Sequence, residues 1–194
     1  MINKTFKKIS ALINELPTYA GDVKDSFVNT ILSENNYLSA NDVLGIALTV
    51  GYALNNESLL KYIRSDAKKV LSDEEANACK IAVSSISMIS MYNYFSEQKL
   101  KPNIKNISAN LSDNNLDKHG IDPTEFDMYC LAAATIFKSS ACIQKYSIKL
   151  EKTGVSAEAI NEIIKIVAVL NAVSTVLEIN RLRSFEFLTR EENI

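Results

Sequence analysis

Cys142 is the residue around which chemistry could be built. It stands in the stretch Asp127–Tyr146, DMYCLAAATIFKSSACIQKY, which reads as a helix, a break at Lys138–Ser140 and a second helix opening near Cys142. A cysteine just inside a helix start meets the positive end of the helix dipole, which favours a thiolate. Tyr146 follows one turn later, and Asp127 precedes Cys142 by 15 positions. Cys130 lies three residues after Asp127, about one turn on and on a similar face. A thiol, a carboxylate and a phenol brought together would make a redox or nucleophilic site. Cys130 could serve as a second thiol if the two helices pack antiparallel. A core place within CLAAA is its plainer role, and for Cys142 the plainer role is a small buried apolar side chain.

Other chemistries find less support. Cys79, Cys130 and Cys142 have neither a disulfide-scaffold nor a zinc spacing, and His119 is the only histidine, so no metal and no cofactor is expected. His119 falls in a polar stretch and is expected to face solvent; Cys79 sits among apolar residues and is expected in the core. Net charge is −2 with no Lys/Arg-rich stripe, which argues against nucleic acid. MINKTFKKIS has basic residues with no apolar segment behind them, so no signal peptide is expected. With no uninterrupted apolar run of about 18 residues, no membrane span is expected either. A cytoplasmic, reducing compartment fits the cysteine usage.

The elements that must position Cys142 are helical. Apolar residues make up 47% of the chain, and only 5 Gly and 3 Pro interrupt it, so the expected class is all-α in a single domain, 1–194. Phe6, Ile9, Leu12, Ile13 and Leu16 predict a helix over residues 3–16, ended by Pro17. A second follows over 20–35. Ser39-x-x-Asp42 resembles a capping box opening a helix to about Leu54. Asn55–Asn56 breaks it, 57–70 is amphipathic, and Ser72 caps a helix running to about Phe95. Residues 99–120 read as a polar linker with a short helix around 105–111. Asp122 and Pro123 open a helix to about Phe137. Helices over 141–152 and from Ser156 to about Leu182 follow, separated by Gly154 as a C-cap, with a loose tail over 189–194. Met88, Met91, Tyr92, Tyr94 and Phe95 are expected to fill a core or a subunit interface, a substrate pocket being the alternative.

Residues 42–93 lie on 126–177 with one constant shift of 84, so the chain reads as two repeated helical halves, about 42–98 and 121–183. Ser58 then falls at Cys142, Val43 at Asp127, and Lys61–Tyr62 at Lys145–Tyr146. Cysteine chemistry belongs to the second half, and Tyr62 suggests that Tyr146 has a packing role.

LPTYAGDVKDSF, the NN-x-x-LL region at 55–60, MISMYNYF and the segment FDMYCLAAATIFKSSACIQKYSIKLEKTGVSAEAI resemble, in order and spacing, the AhpD-like alkylhydroperoxidases of the carboxymuconolactone decarboxylase superfamily. The family's site is a Glu, a Cys-x-x-Cys pair and a His, spaced as Asp127, Ser139, Cys142 and Tyr146 are here. The resemblance therefore implies that Cys142 is the peroxide-attacking cysteine, that Ser139 replaces the resolving one, that Asp127 is a shortened carboxylate and that Tyr146 replaces the relay histidine. Ala141 stands where an optional second histidine occurs. Ser139 cannot close a disulfide, and a tyrosine, with an ordinary pKa of about 10, is a poor base. The implied protein is an antioxidant of the alkyl hydroperoxide reductase type with an altered site. An inactive scaffold or regulatory partner is the alternative, and a non-redox enzyme or small-molecule binder a further one, since some superfamily members decarboxylate lactones. The resemblance also implies a homotrimer, a peroxiredoxin partner such as AhpC and a lipoyl-bearing electron donor.

Overall fold

A computed structural model describes residues 5–34, 37–96, 110–112 and 114–191, with side chains as far as Leu182 apart from that of Asn115. Among the described residues every regular element is helical, as an all-α fold requires. Two 3-10 turns, Ile9–Glu15 and Thr18–Ala20, lead into α1 (Gly21–Phe27), which widens into a π turn over Val28–Leu32. Then come α2 (Ala40–Leu54), α3 (Glu57–Ala67) and α4 (Asp73–Ser96). After a 3-10 turn at Asn114–Asp117 the chain forms α5 (Pro123–Ile136), α6 (Ser140–Lys152) and α7 (Ala157–Glu191).

Local chemistry sets most of these ends. Ser39 and Asp42 form a reciprocal capping box, at 3.1 Å and 2.8 Å. Ser72 and Glu75 form a second one, at 3.1 Å and 2.6 Å. Asp122 accepts the N–H groups of Thr124 and Glu125, with Pro123 in the first turn. Ser156 accepts the Ala159 N–H, and Gly154 turns the chain after α6 at φ 90.

The two central helices are α2 and α5. Val43 to Gly51 and Phe126 to Ala134 are buried without interruption, so each helix is buried on every side and wrapped by others. Helix α2 packs on α3, α4, α5 and α7, and α5 packs on α2, α4, α6 and α7. The α2–α5 contact is close because Gly45 has no side chain: Tyr129, fully buried, lies across it. Within α7, residues 157–182 are long and apolar enough to cross a membrane by length and composition, and half of an 18-residue apolar window within them is buried inside the structure.

Four expectations need correction. Residues 9–15 wind as a 3-10 helix, not an α-helix, and residues 1–4 lie outside the described residues. Phe6, Ile9 and Leu12 are buried at intervals of three, the 3-10 period. Asp66 of α3, fully buried, holds this entry by accepting the N–H groups of Lys8 and Ile9 at 2.6 Å and 2.9 Å. Of the helix expected at 105–111, residues 105–109 lie outside the described residues, and Asn110–Leu111 are not helical. The last helix continues past Leu182 to Glu191, leaving only 192–194 of the expected tail, outside the described residues.

The fourth correction concerns register. Ala40 and Pro123, and Glu57 and Ser140, begin their helices 83 apart; only Asp73 and Ala157 are 84 apart. The left-handed residues ending α2 and α5, Asn55 and Lys138, are also 83 apart. Buried Leu59, Ile63 and Ala67 therefore match buried Cys142, Tyr146 and Leu150. Ser58 is exposed and cannot be the mate of Cys142. The half-buried Tyr62, bonded to Glu15, is not the mate of Tyr146. Asp127 takes the place of Leu44, not Val43.

Candidate active site

The turn between α5 and α6 builds the site. Lys138 takes the left-handed conformation at φ 55 and reverses the chain. Ser139 then caps α6, its Oγ accepting the Cys142 N–H at 3.5 Å. Cys142 thus sits in the first turn of α6, only 2% exposed. Two side chains of α4 aim at its sulfur: Asn93 donates from Nδ2 at 3.5 Å and Ser90 from Oγ at 3.9 Å. Sequence reasoning missed both, having read MISMYNYF for its methionines and aromatics. The signal was present, since Ser90 and Asn93 are a polar pair one turn apart on an otherwise apolar segment.

Tyr146 lies one turn further along α6, buried beneath the turn. The Cys130 thiol of α5 lies beside its hydroxyl. Burial pushes the Tyr146 hydroxyl well above the usual phenol range, and the nearby Cys130, Asp127 and Cys142 push the same way. Tyr146 therefore stays protonated at neutral pH and can serve as a hydrogen-bond donor but not as a base. Burial also raises the Cys130 thiol to about 12, with the neighbouring Tyr146 hydroxyl opposing the rise. So the structure gathers Cys142, Tyr146, Cys130 and Asp127 on the α5–α6 seam. The three cysteines are all free and buried, and Cys79 lies apart, against the Gly45 carbonyl of α2.

Asp127 is turned to a partner that the sequence did not suggest, the Lys149 ammonium at 3.0 Å. Lys149 and Lys145 also flank the Tyr146 ring, at 5.4 Å and 5.2 Å from its centroid. His119 is not the solvent-facing residue expected of it. It is half-buried and stacks on Phe126 with centroids 4.0 Å apart and planes 4° from parallel, while its Nδ1 accepts the Ile121 N–H. Burial lowers its pKa, and the Asp127 carboxylate is the strongest charge opposing that. Among the described residues no group of three His, Cys, Asp or Glu could hold a metal ion.

A cavity of about 530 Å³ opens between α4 and this turn. Ser90 and Ser139, the two serines that touch Cys142, form part of its lining; Met91, Tyr94 and Phe137 supply apolar surface, and Lys138 supplies a cation. Met91 and Tyr94 are 71% and 66% exposed, so they do not fill this chain's core as one sequence reading had it.

No family model matches the chain. Curated relatives do. The alkyl hydroperoxide reductase AhpD of Coxiella burnetii is 33% identical over 165 residues, covering 84% of this chain and 93% of the relative. That of Maricaulis maris is 30% identical over 169 residues, 87% and 96% of the two chains. That of Solibacter usitatus is 26% identical over 172 residues, 89% and 96%. With every regular element among the described residues helical and similarity that spans nearly the whole of each relative, the chain belongs to the AhpD family of alkyl hydroperoxide reductases.

Proposed function

We propose that this chain reduces organic hydroperoxides with Cys142 as the attacking thiol, on a site that lacks the Cys-x-x-Cys pair. One observation carries the reading: Asn93 and Ser90 direct hydrogen-bond donors at the Cys142 sulfur, beside a cavity that could admit a substrate. Donors placed there stabilise negative charge on sulfur, and the thiolate is the form that attacks an O–O bond. Sulfur bonds to one peroxide oxygen as the O–O bond breaks, leaving Cys142 as a sulfenic acid and releasing an alcohol. The thiol's proton passes to the Asp127 carboxylate and on to the departing oxygen, while Tyr146, which stays protonated, donates a hydrogen bond to that oxygen. Ser139 cannot resolve the sulfenic acid. Cys130, or a thiol from outside, condenses with it to a disulfide and water, and an external dithiol reduces the disulfide.

The test is single-turnover consumption of cumene hydroperoxide followed by stopped flow. Cys142→Ser abolishes it, Asn93→Ala slows it, and Cys130→Ser leaves the first turnover intact while trappable sulfenic acid accumulates. Absence of consumption in the wild type, or an unchanged rate in Cys142→Ser, ends the proposal. The second reading is a non-catalytic scaffold or regulatory partner. It is favoured by the ion pair that occupies Asp127 and by Ser139 serving as a helix cap. It predicts a Cys142 thiol that reacts slowly with a trapping dye at pH 6. The resemblance further supports a homotrimer working with a peroxiredoxin and a lipoyl-bearing donor. The three free thiols support a reducing, cytoplasmic location.

A further inference from the structure

Lys138 is the exposed cation at the cavity beside Cys142, and its place there is unusual. The N-terminal repeat has Asn55 at the matching left-handed position, an ordinary choice, whereas a lysine adopts φ 55 only against steric cost. Among the described residues Lys138 makes no ion pair. Its backbone conformation sets it at the start of α6, where the helix dipole adds to its positive charge. On the other side of the same cavity Met91 and Tyr94 of α4 expose most of their surface, and Phe137 continues that apolar wall. A volume of about 530 Å³ is far more than hydrogen peroxide needs. It falls within the range of roughly 300–1,000 Å³ usual for small organic ligands.

We propose that the cavity takes an amphiphilic carboxylic acid carrying a hydroperoxide. Its carboxylate meets the Lys138 ammonium, its alkyl chain lies along Met91, Tyr94 and Phe137, and its peroxide reaches the Ser90–Ser139 side, next to the Cys142 sulfur. This names the substrate class of the site above, so its chemistry rests on the peroxidase reading, but its binding does not. A neutral alkyl hydroperoxide would use the apolar wall and leave the lysine without a role.

Binding of decanoate and of decanol to the full chain, followed by tyrosine fluorescence or calorimetry, tests this without any peroxide. Decanoate binds more tightly than decanol by about three- to tenfold, the size of one half-exposed charge pair beside a helix N-terminus. The gap closes at high salt and in Lys138→Asn, a variant that keeps a residue suited to the left-handed turn. Tyr94→Ala weakens both ligands, and Cys142→Ser weakens neither. Equal affinity for acid and alcohol, an acid affinity indifferent to Lys138→Asn, or no binding at all overturns the assignment. Should decanoate bind as described while no Cys142-dependent reduction occurs, the peroxidase reading fails and the cavity assignment stands. Should cumene hydroperoxide be consumed while decanoate does not bind, the reverse holds.

Discussion

Gly45→Ala tests the packing on which the site is mounted. A methyl group at Gly45 would lie 2.2 Å from the Tyr129 hydroxyl oxygen and 2.4 Å from Cε1 and Cζ of the same ring. Ordinary carbon contacts are about 3.5–4.0 Å, so α2 and α5 would have to part by about 1 Å or the ring would have to leave its place. The ring has nowhere to go, because Tyr129 is fully buried and α5 is flanked by α2, α4, α6 and α7. Two effects oppose each other. Alanine in a helix interior gains about 1 kcal/mol over glycine. Overpacking costs about 1–3 kcal/mol, and a clash at three atoms of a rigid ring belongs at the top of that range. The net expectation is a loss of about 2 kcal/mol. For a chain of this size that lowers Tm by about 4–8 °C. Thermal unfolding followed by circular dichroism, with a urea titration to check that the slope m is unchanged, measures it. Gly45→Ala/Tyr129→Phe recovers little, since two of the three close atoms are ring carbons. A Tm equal to or above wild type would refute the reasoning, for it would mean that α2 and α5 do not approach as closely as Gly45 permits.

Other perturbations isolate single interactions. Tyr129→Phe alone removes a buried hydroxyl that has no hydrogen-bond partner among the described residues, so stability is unchanged or rises, and a clear fall would show that the hydroxyl is bonded. Asp66→Ala strips the acceptor from two N–H groups and costs about 2–4 kcal/mol, with faster hydrogen exchange at Lys8 and Ile9; retained protection there would show that something else holds the segment. His119 has a lowered pKa in the folded chain, facing Asp127, Asp117, Lys149 and Asp122. The unfolded chain therefore binds the proton more readily, and stability is full above about pH 6.5 and lost as pH falls through the folded pKa. Denaturation midpoints measured across that window should flatten in His119→Gln, and an unaltered slope would count against the assignment. Burial holds Cys79 and Cys130 at about 12, so at pH 8 a thiol reagent modifies them only as fast as the chain opens; rapid native labelling of Cys130 would show a looser α5–α6 seam.

Helix existence was legible because its causes are local. Ser39 with Asp42, Ser72, Asp122 with Pro123, Gly154 and Ser156 act within one turn of where they stand, and each does in the structure what its residue type predicts. The family resemblance, carried by residue order, singled out Cys142 and the substitutions at Ser139 and Tyr146. The one-residue slip between the repeats was not legible, because a difference in loop length leaves no mark until buried faces are compared: Leu59 rather than Ser58 shares the setting of Cys142. Nor were the residues that decide what Cys142 can do. Asn93 and Ser90 reach it from a helix about 50 residues upstream, Lys149 claims Asp127 from 22 residues away, and Asp66 ties down Lys8 across 58. Sequence by itself determined which segments are helical and which thiol stands at a helix start, since caps and periodicity act over three or four residues. Only the tertiary structure decided the environment of that thiol, since hydrogen bonds, ion pairs and burial depend on which helix faces are pressed together, and no short-range pattern encodes that.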